Sequence, residues 1–374
     1  MNRSEARVEL GAIRDNVRAL RGHAAGGAGL MAVVKADGYG HGLVPSAQAA
    51  LDGGADWLGV AFLEEALTLR EAGVQAPVLA WLTSPGEDLA AAVRADVDLG
   101  TYSEQQLEAA VAAARETGTT ARLHLKVDTG LNRGGVTPAQ WPALCEAAAK
   151  AEADGAVKVV GLFSHFAFAD GGADHPVNGR QATVFAEALE VADRAGLRPD
   201  VRHLANSAAT LTAPATHYDL VRPGVAVYGL SPVPDQGGSA AFGLRPAMTL
   251  ASTVALVKRV PAGEGVSYLH RYVTEHETTL ALVPLGYADG VPRSATSVGT
   301  VHLAGRRRTV AGTVCMDQFV LDVGDDAVDA GDEVLLFGPG DAGEPTAQEW
   351  AELLGTISYE IVTRIGARVP RTYA

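Results

Sequence analysis

Lysine is nearly missing from this chain. Of its 30 basic residues five are lysines (Lys35, Lys126, Lys150, Lys158 and Lys258), leaving 25 arginines. Cysteine is rarer still: Cys145 and Cys315 stand far apart without a CxxC pattern, which excludes a disulfide framework and a zinc ribbon and implies a reducing compartment. No metal site is expected. No apolar run approaches the roughly 18 residues of a membrane span, and the opening MNRSEARVELGAIRDNVRAL is charged and amphipathic rather than basic and then apolar. Net positive charge is lacking too, since at −14 the average surface field repels nucleic acid and anionic membranes alike. The single dense basic run, Arg306-Arg307-Arg308, follows Ala304-Gly305 and reads as a solvated turn between strands. These absences point to a cytoplasmic protein acting on a small molecule.

What is present is enough apolar residue, 47% over 374 positions, to build two cores. Short β-branched apolar runs begin with MAVVK (31–35), WLGVAF (57–62), PVLAWL (77–82) and VDLGTYS (97–103). RLHLKVD (122–128), KVVGLFSHF (158–166), VRHLANS (201–207) and YDLVRPG (218–224) continue the series. Segments of helical spacing, such as LEEALTLREA (63–72) and SEQQLEAAVAAARE (103–116), separate them. Strand and helix alternating eight times predict a parallel (β/α)8 barrel over residues 10–240. After the connector SPVPDQGGSA (231–240) the apolar period drops to two, which predicts a mainly antiparallel β domain over 241–374, with helix returning only near AQEWAELLG.

Barrels of this kind carry their chemistry at the carboxyl ends of the strands. Lys35 ends the first strand, Lys126 and Asp128 the fifth, His165 the sixth, Asn206 and Ser207 the seventh, and Arg222 the eighth. Any one alone reads as an ordinary hydrogen-bonding residue; their convergence on one rim argues for a site. A lysine partly desolvated at a strand end has a lowered pKa and attacks carbonyls, although a snorkelling lysine has the same pattern. In the following DGYGHG, the glycines at 38, 40 and 42 let backbone approach a ligand, and Tyr39 can donate to an anion. Arg133, among glycines in HLKVDTGLNRGG, suits either a carboxylate clamp or a surface loop. Arg222, before Pro-Gly, can donate to a heteroaromatic nitrogen while leaving it unprotonated. In the β domain GVSY carries Tyr268, GYADGVPR carries Tyr287 and Asp289, TVCMDQ carries Met316 and Asp317, and SYEI carries Tyr359. Read singly, these tyrosines are packing residues of half-buried strands.

Taken in order, ELGAIRDN, AVVKADGYGHG, HLKVDTGLNRGG, FSHFAFAD, HLANSAA, VRPGVAVYG, GVSY, ALVPLGYADGVPR, VAGTVCMDQ and ISYEIVTRIGARVPR resemble the alanine racemase family over most of the chain. The resemblance implies a fold-type III enzyme using pyridoxal 5'-phosphate, with Lys35 bonded to the cofactor's aldehyde. It implies that Tyr39, Ser207, Gly224 and Tyr359 hold the phosphate, with Asn206 nearby, that Arg222 faces the pyridine nitrogen, and that His165 lies beside the ring. Arg133 and, from the other subunit of a dimer, the Met316 backbone would bind the substrate carboxylate, Lys126 is a position open to carbamoylation, and Tyr287 and Asp317 are supporting residues.

The implied reaction is two-base Cα proton transfer between L- and D-alanine, with Lys35 on one face and Tyr268 from the other subunit of a homodimer on the opposite face. It would supply D-alanine for peptidoglycan. The family's N-terminal strand, here within residues 1–10, packs on the β domain. Leu269 and His270 depart from the family, which commonly has a small residue such as glycine after the tyrosine, and the 273–278 loop is variable, so substrate breadth stays open. A serine or broad-specificity racemase is one alternative. A pyridoxal phosphate decarboxylase and a non-catalytic pyridoxal phosphate-binding barrel are others.

Overall fold

The computed structural model describes residues 3–374, which divide into two compact units. One comprises 13–38 and 43–244; the other comprises 245–374 together with the N-terminal residues through Ala12 and the short loop 39–42.

Strand β1 (Ser4–Val8) belongs to the second unit, and the chain then enters the barrel. Its strands are β2 (Gly29–Val33), β3 (Trp57–Val60), β4 (Val78–Ala80), β5 (Val97–Thr101), β6 (Ala121–Lys126), β7 (Val157–Phe163), β8 (Val201–His203) and β9 (Leu220–Val221). They form one parallel eight-stranded sheet, in the order β8-β7-β6-β5-β4-β3-β2-β9. Its two ends meet through backbone bonds from Asp219 N–H to the Arg202 carbonyl and from Arg222 N–H to the Ala205 carbonyl. All eight expected strands are present. They are legible because strands covered on both faces read as unbroken apolar runs; Met31, Leu79 and Leu220 pack into one such cluster. The helix Glu104–Thr117 starts where Ser103 Oγ accepts the Gln106 N–H and stops at left-handed Gly118, with Leu107, Ala110, Ala113 and Ala114 buried.

The other unit is mainly antiparallel. Its strands are β10 (Met248–Thr253), β11 (Leu256–Val260), β12 (Gly265–Val266), β13 (Tyr272–Val273), β14 (Thr278–Val283), β15 (Thr300–Leu303), β16 (Arg306–Thr309), β17 (Phe319–Gly324), β18 (Glu333–Phe337) and β19 (Arg371–Tyr373). A six-stranded sheet runs β16-β15-β18-β10-β1-β19, and a three-stranded sheet runs β11-β14-β17. β1 pairs antiparallel with β10 and parallel with β19, which ties the two ends of the chain into one sheet.

Two expectations are corrected here. Arg306–Arg308 form strand β16 rather than a turn; the turn is Ala304-Gly305, and Arg308 is buried against Asp326 at 2.5 Å while Arg307 pairs with Glu349 at 2.6 Å. Helix also returns twice, at Ala347–Leu354 and again at Ser358–Thr363, a six-residue segment too short to show a period. Among the described residues no helix is long and apolar enough to cross a membrane, and both cysteines are free.

Candidate active site

Lys35 lies two residues beyond the end of β2, where the backbone turns left-handed: Ala36, Asp37, Gly38 and Tyr39 all have φ between 52° and 60°. Non-glycine residues resist this conformation, so side chains must hold it. Glu65 does so, its Oε1 accepting the Ala36 N–H at 2.6 Å and its Oε2 the Ala61 and Phe62 N–H groups at 2.9 and 3.1 Å. Asp37 Oδ1 accepts the Leu43 N–H at 2.8 Å. Glu65 escaped the sequence reading because nothing in a chain marks a partner 29 residues away.

Burial, reinforced by the positive charge of Arg133, lowers the Lys35 pKa against the opposing pull of Glu65. Lys126, the last residue of β6, is 7% exposed and sits over the rings of Tyr102 (4.8 Å to the centroid) and Phe163 (5.5 Å). Burial, with Arg222 and Arg133 nearby, lowers its pKa to about 8. Neither ammonium makes a hydrogen bond or ion pair among the described residues, and neither does the Arg133 guanidinium. Asp128, a rim candidate from sequence, is instead a loop builder: its Oδ1 accepts the N–H groups of Gly130, Leu131 and Asn132 at 2.8–3.1 Å, shaping the loop that carries Arg133.

Arg222 directly follows β9 and is 6% exposed. It donates from Nη1 to His203 Nδ1 at 3.0 Å, and from Nη2 to the Ser164 carbonyl at 2.7 Å, the Leu204 carbonyl at 3.3 Å and His165 Nδ1 at 3.3 Å. Its Nε–H and the second Nη1–H have no partner among the described residues, so the guanidinium keeps donors for a ligand. Burial lowers the guanidinium pKa to about 10, which keeps it charged at neutral pH. His165 is driven well below the usual histidine range by burial and by the charges of Arg222, Arg133, Lys126 and Lys35, and is therefore a neutral ring.

Asn206 caps the short helix Ser207–Thr212 by accepting the Ala209 N–H at 3.0 Å. Ser207 Oγ accepts the N–H groups of Gly224 at 2.8 Å and Ala226 at 3.4 Å, which leaves its own proton to donate. Lys35, Lys126, Arg133, His165, Asn206, Ser207, Arg222 and Gly224 therefore all lie at the carboxyl ends of the barrel strands, in an environment dominated by cations. An unpaired Nε–H, an unpaired amine and a free hydroxyl proton are donors suited to an anionic heteroaromatic aldehyde such as pyridoxal phosphate.

Within the other unit, Tyr39 is buried and its ring lies 6.3 Å from that of Tyr359, a residue of the helix Ser358–Thr363. The glycines here have a different role from the one expected of them. A Cβ on Gly40 would stand 2.5 Å from the Val362 carbonyl oxygen, and one on Gly42 would strike the Tyr373 hydroxyl, so the space they leave is filled by protein. The other tyrosines are not strand-packing residues. Tyr268 opens a short 3-10 turn and is 71% exposed; Met316 is 52% exposed, and Tyr287 is exposed on a loop. The turn holds Ser267, Leu269 and His270 at positive φ (62°, 64° and 44°), which gives a conformational reason for glycine at such positions. The 286–290 loop is joined to the Met316 loop by bonds from Tyr287 N–H to the Cys315 carbonyl and from Ala288 N–H to the Met316 carbonyl. Asp317 pairs with Arg368 at 2.8 Å, and Arg368 also reaches buried Asp289 at 3.3 Å.

Residues 8–232 match the family model for the alanine racemase N-terminal domain, and residues 247–373 match the model for the alanine racemase C-terminal domain. An alanine racemase from Frankia casuarinae is 66% identical over 371 residues, covering 99% of this chain and 96% of that protein. The crystal structure of alanine racemase from Streptomyces lavendulae, a D-cycloserine producer, superposes with a TM-score of 0.98 at 54% identity, covering 100% of this chain and 97% of that one. Alanine racemase from Streptomyces coelicolor A3(2) gives 0.97 at 55% identity, with 100% and 98% covered. On this evidence the chain belongs to the alanine racemase family.

Proposed function

We propose that this amino-acid racemase, an isomerase, interconverts L- and D-alanine with pyridoxal 5'-phosphate at the carboxyl rim of its barrel. The observation that carries the reading is electrostatic. Lys35, Lys126, Arg133 and Arg222 share one environment, and the first three make no hydrogen bond or ion pair among the described residues. Such a site is built for a ligand that brings negative charge, here a phosphate and a substrate carboxylate.

When bound, the cofactor supplies an electrophilic aldehyde and an electron sink that acidifies the substrate Cα–H. Lys35 holds that aldehyde covalently in the resting enzyme, its lowered pKa favouring the nucleophilic amine. Ser207, Gly224, Tyr39 and Tyr359 receive the phosphate, with Asn206 fixing the helix that begins at Ser207. Arg222 donates to the ring nitrogen without surrendering a proton, which mutes charge delocalisation and disfavours transamination and decarboxylation. The neutral His165 flanks the ring. Arg133 and the backbone of Met316 of the partner subunit bind the carboxylate.

Inversion at Cα requires proton transfer on two faces. The Lys35 amine exchanges the proton on one, and Tyr268 of the partner subunit exchanges it on the other. A homodimer with shared sites is supported by the exposure of Tyr268, Leu269 and Met316, large apolar side chains of the kind that association covers. Tyr287 and Asp317 brace the loop that carries Met316. The product would feed peptidoglycan assembly.

The test is a chiral assay of purified protein supplied with L-alanine, run beside L-serine to measure substrate breadth. Lys35→Ala is expected to abolish racemisation and the absorbance of covalently held cofactor; a Lys35→Ala protein retaining that absorbance would refute the assignment.

A further inference from the structure

Inside the barrel, beneath the rim, a chain of polar side chains joins Arg222 to strand β5. His203 and His124 are fully buried and Asp98 is 1% exposed. Arg222 Nη1 faces His203 Nδ1 at 3.0 Å, His203 Nε2 faces His124 Nδ1 at 2.8 Å, and His124 Nε2 faces Asp98 Oδ2 at 3.1 Å. The far end is clamped by Arg122, whose Nε donates to Asp98 Oδ1 at 2.5 Å and Nη2 to Oδ2 at 3.3 Å.

The ends of the chain dictate every proton between them. Arginine can only donate, so His203 Nδ1 is bare and its proton sits on Nε2. That proton requires a bare His124 Nδ1, so the His124 proton sits on Nε2 and is given to Asp98, which as a carboxylate can only accept. Both rings are neutral with the same tautomer, and each link points one way. A cationic or reversed histidine anywhere would set two donors face to face.

The surroundings are built for this arrangement. Burial opposes the charge on Asp98, yet its bonds from His124 and Arg122 hold its pKa below the usual carboxylate value. Burial, with the charge of Arg222 alongside, holds His203 well below the usual histidine range. The Phe163 ring stacks on His203 at 4.9 Å and 3°, and Trp57 meets His124 edge-on at 5.4 Å. Gly161, the residue paired with His124 across β6 and β7, has no room for a Cβ because the His124 ring lies over it.

We propose that Asp98 is a positioning residue for Arg222, acting through His124 and His203 as a one-way hydrogen-bond relay that fixes the guanidinium's orientation at the rim. The inference builds on the reading that Arg222 faces the cofactor's ring nitrogen, but the relay itself is a property of the protein. An asparagine at 98 would turn its oxygen to the Arg122 Nε–H and its NH2 to His124, reversing both tautomers and setting His203 Nδ1–H against the Arg222 donor.

The test is nitrogen-15 NMR of the holoenzyme labelled at histidine, which reports which ring nitrogen is protonated. In the wild type, His124 and His203 are expected to be protonated at Nε2 alone. Asp98→Asn is expected to move both protons to Nδ1, to change the cofactor's absorbance, and to lower kcat about tenfold, the scale of one lost charge-assisted bond, with little change in KM. Arg122→Ala, which leaves the carboxylate facing His124, is expected to lose stability yet keep the wild-type tautomers and kcat. A wild-type His203 protonated at Nδ1 overturns the proposal, and that spectrum decides the matter should Asp98→Asn fail to fold. So do unchanged tautomers in a folded Asp98→Asn, or kcat losses in the two variants that simply follow their stability. A protein that bound no cofactor but showed the expected tautomers would overturn the functional reading and leave the relay standing.

Discussion

The Lys126 ammonium lies 4.8 Å over the Tyr102 ring and makes no ion pair among the described residues, in a setting that already holds Arg222 and Arg133. A buried lysine with its pKa lowered to about 8 presents free amine near neutral pH. The free amine adds carbon dioxide, losing one proton and gaining a carboxylate that the neighbouring arginines attract.

Lys126 is therefore expected to be carbamoylated. Supplied with carbon-13 bicarbonate, the protein should show a carbamate carbonyl resonance that Lys126→Met lacks. If the wild type shows none, the burial of this amine serves some other end.

In carbon-dioxide-free buffer the same residue makes stability depend on pH. Its folded pKa of about 8 lies below the ordinary 10.5, so the unfolded chain binds more protons between those values and stability rises with pH across that window. Below about pH 8 the penalty is complete, on the order of 3 kcal/mol. Denaturant melts of wild type and Lys126→Met should diverge as pH falls from 10.5 to 8, with the methionine protein the more stable; parallel curves would contradict the assignment.

Glu65 holds three N–H groups around the left-handed turn after Lys35. Glu65→Ala is expected to cost about 1 kcal/mol, the loss of one part-buried and two exposed charge-assisted bonds. Cofactor retention should fall with it, because Ala36 and Asp37 have no intrinsic reason to stay at positive φ. Thermal melting and dialysis against buffer check both effects.

Tyr268→Phe removes the phenolic proton carrier while keeping the ring. Bound-cofactor absorbance should persist, with racemisation lowered by about 100-fold or more, the scale of a lost general acid or base. Equal rates of Cα exchange on both enantiomers in this variant would contradict a separate base on each face.

Much of the barrel was legible because its strands are covered on both faces, and the rim residues because polar groups closing apolar runs are conspicuous. Interior polar groups were not: His124 and His203 sit within RLHLKVD and VRHLANS, where a single polar residue reads as a strand end or a satisfied hydrogen-bonder. Glu65 lay hidden for a different reason: its bonds to Ala61 and Phe62 are a local helix cap, but the bond to Ala36, 29 residues away, follows from packing. The glycines at 40 and 42 were noticed but given the wrong neighbour, because a sequence shows where room is made and not what fills it.

The most direct measurement is incubation of the purified protein with L-alanine and pyridoxal phosphate in D2O, followed by chiral separation and mass spectrometry. Two-base inversion predicts D-alanine carrying one deuterium at Cα. L-alanine recovered unlabelled, or carbon dioxide released in its place, would contradict it.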